Sequence, residues 1–77
     1  MTERVYDVVA SMLRVPRESL GPDSSPDTIP QWDSLRHLQI VLGLEEALGI
    51  QLSVEEIEAM QSLGVILAIV ESHAARG

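Results

Sequence analysis

All four prolines of this 77-residue chain fall between Pro16 and Pro30. That cluster constrains the fold more than any other feature, because it confines continuous helix to the residues on either side of it. Proline lacks an amide donor and disfavours helical geometry in the residue before it, so a helix that starts near the N-terminus must stop near Val15. Ahead of that point Val5, Val8, Val9, Met12 and Leu13 recur at helical spacing, with Tyr6 beside the stripe and Thr2 placed to cap it. Residues 15–33 combine the prolines with Gly21, Ser24 and Ser25 and read as a long ordered loop, with Leu20, Ile29 and Trp32 as its anchors into the core. A loop of this length in so small a domain is often functional.

Beyond the loop the chain is helical throughout. Asp33 is a good N-cap for a second helix reaching Leu48, and Gly49 suits the residue that ends it. Ser53 followed three residues later by Glu56 has capping-box spacing and opens a short third helix. Ser62 can cap a final helix with Val65, Ile66, Ile69 and Val70 inward. No repeat and no strand alternation is present. The expected fold is all-α: one domain over 1–77, a small four-helix bundle with helices at about 3–14, 34–48, 54–60 and 63–74, the loop at 15–33, and a short third helix.

Composition narrows the function. There is no cysteine, so neither a disulfide framework nor a thiolate metal site can brace the fold. With no Phe, one Trp and one Tyr, the core must be aliphatic. The net charge of −7, with no lysine, argues against a surface that tracks nucleic-acid phosphates and favours partners that present basic patches. The N-terminus lacks the apolar core of a signal peptide, and no run is long enough to span a bilayer, so the expectation is a cytoplasmic monomer with no membrane association.

Catalytic and metal patterns are weak. Ser34 and His37 could touch across one helical turn, but Asp33 is already the expected cap and an exposed helix start offers no water-free pocket. His37 is therefore expected to be a solvated or contact residue, and His73 to suit the dipole at a helix C-terminus. No catalytic residue is assigned. Asp23 and Asp27 fail as a calcium loop, since Thr28 and Ser34 stand where that loop needs Gly and Glu, and no metal site is assigned.

The second helix is more apolar than one buried stripe requires. Leu38, Val41, Leu44 and Leu48 are expected in the core. Leu35, Ile40 and Leu42 divide the remaining role, with Leu35 and Leu42 assigned to partner contact. An interfacial membrane helix would carry a basic polar face, whereas this one sets Arg36 and His37 against Glu45 and Glu46. Ser34 itself should lie in the first turn, beside amides without intrahelical partners and at the positive end of the helix dipole. A phosphate attached there would be well placed, and Asp33 could hold Mg²⁺ during its transfer. Asp-Ser at a helix start is also ordinary capping chemistry, and a second reading makes the chain an unmodified helical adaptor in which Ser34 is only a cap.

The longer pattern W-D-S-L-R-H-L-Q-I-V-L-G-L-E-E-A-L-G-I-Q-L, Trp32 to Leu52, closely resembles the acyl carrier protein family. In that family an Asp-Ser-Leu at the start of the second helix precedes an apolar helix, a Glu-Glu pair and a link ending in Ile-x-Ile/Leu. The resemblance continues through S-V-E-E-I-E-A-M-Q-S-L-G-V-I-L-A-I-V, Ser53 to Val70, and covers essentially the whole chain. It implies that a phosphopantetheinyl transferase moves 4′-phosphopantetheine from coenzyme A onto Ser34, with Asp33 and Leu35 supporting the attachment site. The arm's thiol would then hold an acyl or aminoacyl group as a thioester between loading and downstream enzymes. Leu44, Leu52, Ile57 and Met60 become candidate walls of an acyl cavity, although the same residues would make an ordinary core.

Departures from the family matter as well. Gln31-Trp32 stands where many fatty-acid carriers have Gly-x, and the second helix continues with Arg36-His37 where theirs is acidic. The acidic recognition face is thereby reduced to Asp33, Glu45 and Glu46, with Glu55, Glu56 and Glu58 beyond. Partner recognition is assigned to Leu35, Arg36, Leu42, Glu45, Glu46, Glu55 and Glu56. The Gly-Gly-x-Ser-Leu motif of peptide-synthetase carriers is absent. The Trp-Asp-Ser-Leu version looks like stand-alone bacterial carriers of specialised pathways, so a free-standing carrier outside housekeeping fatty-acid synthesis is expected.

Overall fold

The computed structural model describes residues 2–76. Among them the elements are four helices, α1 (Thr2–Leu13), α2 (Ser34–Leu48), α3 (Val54–Ala59) and α4 (Leu63–Arg76), with one 3₁₀ turn at Arg17–Ser19 and no strand. The protein is a small all-α four-helix bundle.

The helix ends follow from local chemistry. Thr2 is itself helical and not the cap expected of it, and α1 stops at Leu13. Arg14 then adopts φ 58°, a left-handed conformation, and the amide of Val15 donates back to the Ala10 carbonyl. Asp33 caps α2: its Oδ1 accepts from the Arg36 amide at 2.8 Å. Gly49 closes α2 at φ 65°, where a residue without Cβ is unstrained. Ser53 and Glu56 form the reciprocal capping box of α3, and the Ser62 hydroxyl accepts from the Val65 amide to start α4.

Val5, Val9 and Leu13 of α1 meet Ile40, Val41 and Leu44 of α2 and Leu63, Ile66 and Val70 of α4 in one core, closed by Trp32, Leu52 and Met60. The two long antiparallel neighbours approach closely at Gly43, where any Cβ would lie 2.9 Å from Val8 Cγ1. Several expected core positions differ. Leu38 is 54% exposed, whereas Ile40 is fully buried. At about 100° per residue, Ile40, Val41, Leu44 and Leu48 form one stripe of α2 and Leu35, Leu38 and Leu42 another on the opposite side. Only one stripe can face α1 and α4. Val65 is likewise turned outward, because Leu63, Ile66 and Val70 define the buried face of α4.

The loop is held at both ends. Arg17 pairs with Glu3 at 3.7 Å and Asp7 at 3.3 Å and sits over the Tyr6 ring, tying the 3₁₀ turn to α1. Further on, the Leu63 amide donates to the Ser24 carbonyl and the Gly64 amide to the Pro22 carbonyl. Loop carbonyls thus satisfy opening amides of α4. Leu20 and Ile29 pack partly buried against the core, and Trp32 is 2% exposed. Pinned this way, the loop delivers Asp33 and Ser34 to a fixed place on the surface.

Candidate functional site

Ser34 is the first helical residue of α2 and is exposed. The capping bond belongs to Asp33, so the Ser34 hydroxyl is not the cap of this helix. The amides of Ser34 and Leu35 open the helix and have no intrahelical carbonyl to reach, as at any helix N-terminus. The residue therefore combines an accessible hydroxyl with the donor-rich, positive end of a fifteen-residue helix.

Beside it lies an open cleft of about 730 Å³, lined among others by Asp27, Trp32, Ser34, His37, Ile57 and Met60. It lies between the end of the loop, the first turn of α2 and the α3–α4 link. Of the four candidate cavity walls, Ile57 and Met60 line this cleft. Leu44 and Leu52 do not line it and serve the core.

One wall is held by a polar bridge that sequence reading does not supply. The Trp32 indole N–H donates to His37 Nδ1 at 3.1 Å, and His37 Nε2 lies 3.0 Å from the Ile57 carbonyl. His37 thus ties loop, α2 and α3 together and is neither solvated nor a free contact residue. No Ser34–His37 hydrogen bond is formed among the described residues. Trp32 and His37 stand five apart across a helix cap, and Ile57 lies twenty residues further on, so no periodic signal marks the trio.

The residues assigned to partner recognition separate by environment. Leu35 and Leu42 are 62% and 64% exposed, and Glu46 and Glu55 are exposed. Glu45 and Glu56 have internal work. Glu45 Oε2 accepts from the Leu52 amide at 2.9 Å and fixes the link after α2. Glu56 accepts from the Ser53 amide and lies 3.0 Å from His73 Nε2, bridging α3 to α4. His73, near the C-terminal end of α4, is partly buried and pairs with Glu56. The Ser53 backbone N–H, and then the His73 hydrogen bond, hold the Glu56 carboxyl below its ordinary value. Arg36 is half-buried, with Nη1 donating to the Met12 carbonyl at 3.4 Å.

No helix among the described residues is long and apolar enough to cross a membrane. No family model matches the sequence. A protein named acyl carrier protein from Thermosynechococcus vestitus is 29% identical over 73 residues, spanning 95% of this chain and 90% of that protein. The four-helix bundle and the exposed serine at the head of α2 thus occur in a chain similar to an acyl carrier protein along nearly its whole length.

Proposed function

We propose that the protein is an acyl or aminoacyl carrier of a specialised biosynthetic pathway, acting in the cytoplasm, with Ser34 as the attachment point for 4′-phosphopantetheine. One observation carries the reading: in a chain similar to an acyl carrier protein, an exposed serine that its own helix does not use as a cap stands at the helix N-terminus over an open cleft. The surroundings fit the group. The first-turn amides and the helix dipole favour an attached phosphate, and the cleft sets apolar Trp32, Ile57 and Met60 beside it.

In this role Ser34 Oγ attacks the phosphorus of coenzyme A nearest the pantetheine, forming an O–P bond. The bond from that phosphorus to the bridging oxygen breaks, 3′,5′-ADP leaves, and the serine proton passes to a base of the phosphopantetheinyl transferase. Asp33 keeps the first turn of α2 in place, and its carboxylate is the group of this chain that would hold the Mg²⁺ used in that transfer. When bound, the group supplies a thiol that holds the cargo as a thioester, which lets a cysteine-free chain take part in acyl transfer. Loading and downstream enzymes are the partners, and the chain itself supplies no catalytic residue.

Incubation with coenzyme A, Mg²⁺ and a permissive transferase should add one phosphopantetheine to the intact mass, and Ser34→Ala should abolish the addition. Wild-type protein left unmodified by several transferases would refute the carrier reading. The exposed Leu35, Leu38 and Leu42 suit a second reading, an unmodified adaptor that binds its partner through this face of α2. There Ser34→Ala would leave partner binding intact and Leu42→Asp would abolish it.

A further inference from the structure

A second concavity, of about 480 Å³, runs between the C-terminal end of α1 and the outer face of α2, lined by Met12, Arg14, Leu35, Arg36, Leu42 and Glu46 among others. We propose that it docks a partner enzyme presenting an apolar patch flanked by carboxylates, with those carboxylates toward the Ser34 end.

The apolar part comes from Leu35 and Leu42, both more than half exposed and two turns apart on one face of α2. Next to Leu42, Gly43 lets α1 approach closely, so that the Met12 side chain, 3.2 Å from where a Cβ would stand, helps to form the floor. The polarity comes from the ends. The chain carries a net charge of −7, yet the groove holds Arg14 and Arg36 near Ser34 and its acid, Glu46, sits toward the other end of α2. Among the described residues neither arginine forms an ion pair; Arg36 makes only the 3.4 Å bond to the Met12 carbonyl. Arg14 also occupies a left-handed φ of 58°, a position where glycine is unstrained and arginine is not. Helix termination alone favours glycine at that position. What arginine adds is an exposed guanidinium on the rim of an apolar groove. The chain's overall acidity points to basic partners, and Asp27, Asp33 and Glu58 line the cleft on the Ser34 side. This groove, however, carries Arg14 and Arg36 at its Leu35 end, and that local sign governs what can seat in it.

The inference rests on the carrier reading in taking the occupant to be an enzyme that must reach Ser34. The groove chemistry is tested without it. Two synthetic amphipathic helical peptides, identical except that one carries Leu and Glu and the other Leu and Lys, are titrated into ¹⁵N-labelled protein. The Leu/Glu peptide should shift the amides of Arg14, Leu35, Arg36 and Leu42, and salt should weaken it. Arg36→Gln and Arg14→Gly should each weaken it by about twofold to fivefold, the scale of one exposed ion pair. The double variant Arg14→Glu/Arg36→Glu, with helical content checked by circular dichroism, should prefer the Lys peptide. Equal response to both peptides, shifts confined to other surfaces, or unchanged preference in the double variant would overturn the proposal. Ser34 loading is read separately by mass, so either conclusion can fail while the other stands.

Discussion

The indole N–H of Trp32 donates to Nδ1 of His37 at 3.1 Å, and this bond fixes where the histidine proton resides. Indole nitrogen is a donor only, so Nδ1 must be the acceptor and Nε2 must carry the hydrogen that reaches the Ile57 carbonyl at 3.0 Å. A single imidazole thereby links the end of the loop to α3 across the first turns of α2, and it forms the wall of the cleft beside Ser34.

His37→Leu removes both bonds and should lower stability by about 1–3 kcal/mol, measured by urea denaturation followed through Trp32 fluorescence. Long-range ¹⁵N correlation should place the imidazole proton on Nε2 in the wild type. A proton on Nδ1 would contradict the bridge.

Capping and loading are divided between neighbours. Asp33→Ala should cost about 0.5–2 kcal/mol, because the Arg36 amide loses its acceptor. Ser34→Ala should stay within about 0.5 kcal/mol of wild type, since an exposed side chain outside the cap is removed. Thermal denaturation of the two variants side by side checks this, and equal losses would show that Ser34 shares the cap.

Arg14 and Gly49 both adopt left-handed φ, at 58° and 65°, but with opposite fitness for it. Arg14→Gly should raise stability by about 1 kcal/mol and Gly49→Ala should lower it by about 1–2 kcal/mol. Denaturant midpoints at constant slope report both signs.

Glu56 gives the fold a pH dependence. Its carboxyl is held below its ordinary value of 4.5, first by the Ser53 amide and then by His73, so the folded state favours the ionised form. The contribution is complete above the unfolded carboxyl value and is lost as pH falls through the lower folded one. Glu56→Gln keeps a capping-box acceptor for Ser53 but has no charge to lose. Stability of the variant should therefore fall less steeply than wild type on acidification through that window, in melts taken across the acid range. Parallel curves would assign the acid sensitivity to other carboxylates.

Much of the candidate site was legible because it depends on neighbours in sequence. Asp33 caps α2, Ser53 and Glu56 close their box, and Gly49 ends α2, each through contacts spanning three or four residues. Ser34 falls at the exposed head of α2 for the same reason. The cleft was not legible, since Asp27, His37, Ile57 and Met60 meet only after the loop folds back. The His73–Glu56 contact was not legible either, since the two residues lie seventeen apart on different helices.

The sequence by itself determined the four helices, the caps of α2, α3 and α4 and the place of Ser34, because hydrogen bonds within one turn and the backbone limits of proline and glycine act locally. Only the tertiary structure decided which stripe of α2 is buried. Leu38 and Ile40 are both apolar and two residues apart, and the docking of α1 and α4 covers Ile40 and leaves Leu38 at 54% exposure. The same packing sets an arginine in a left-handed turn beside two exposed leucines. The physical reason is that helix propensity and capping are read from the nearest few residues, whereas burial depends on which surfaces meet when distant segments pack.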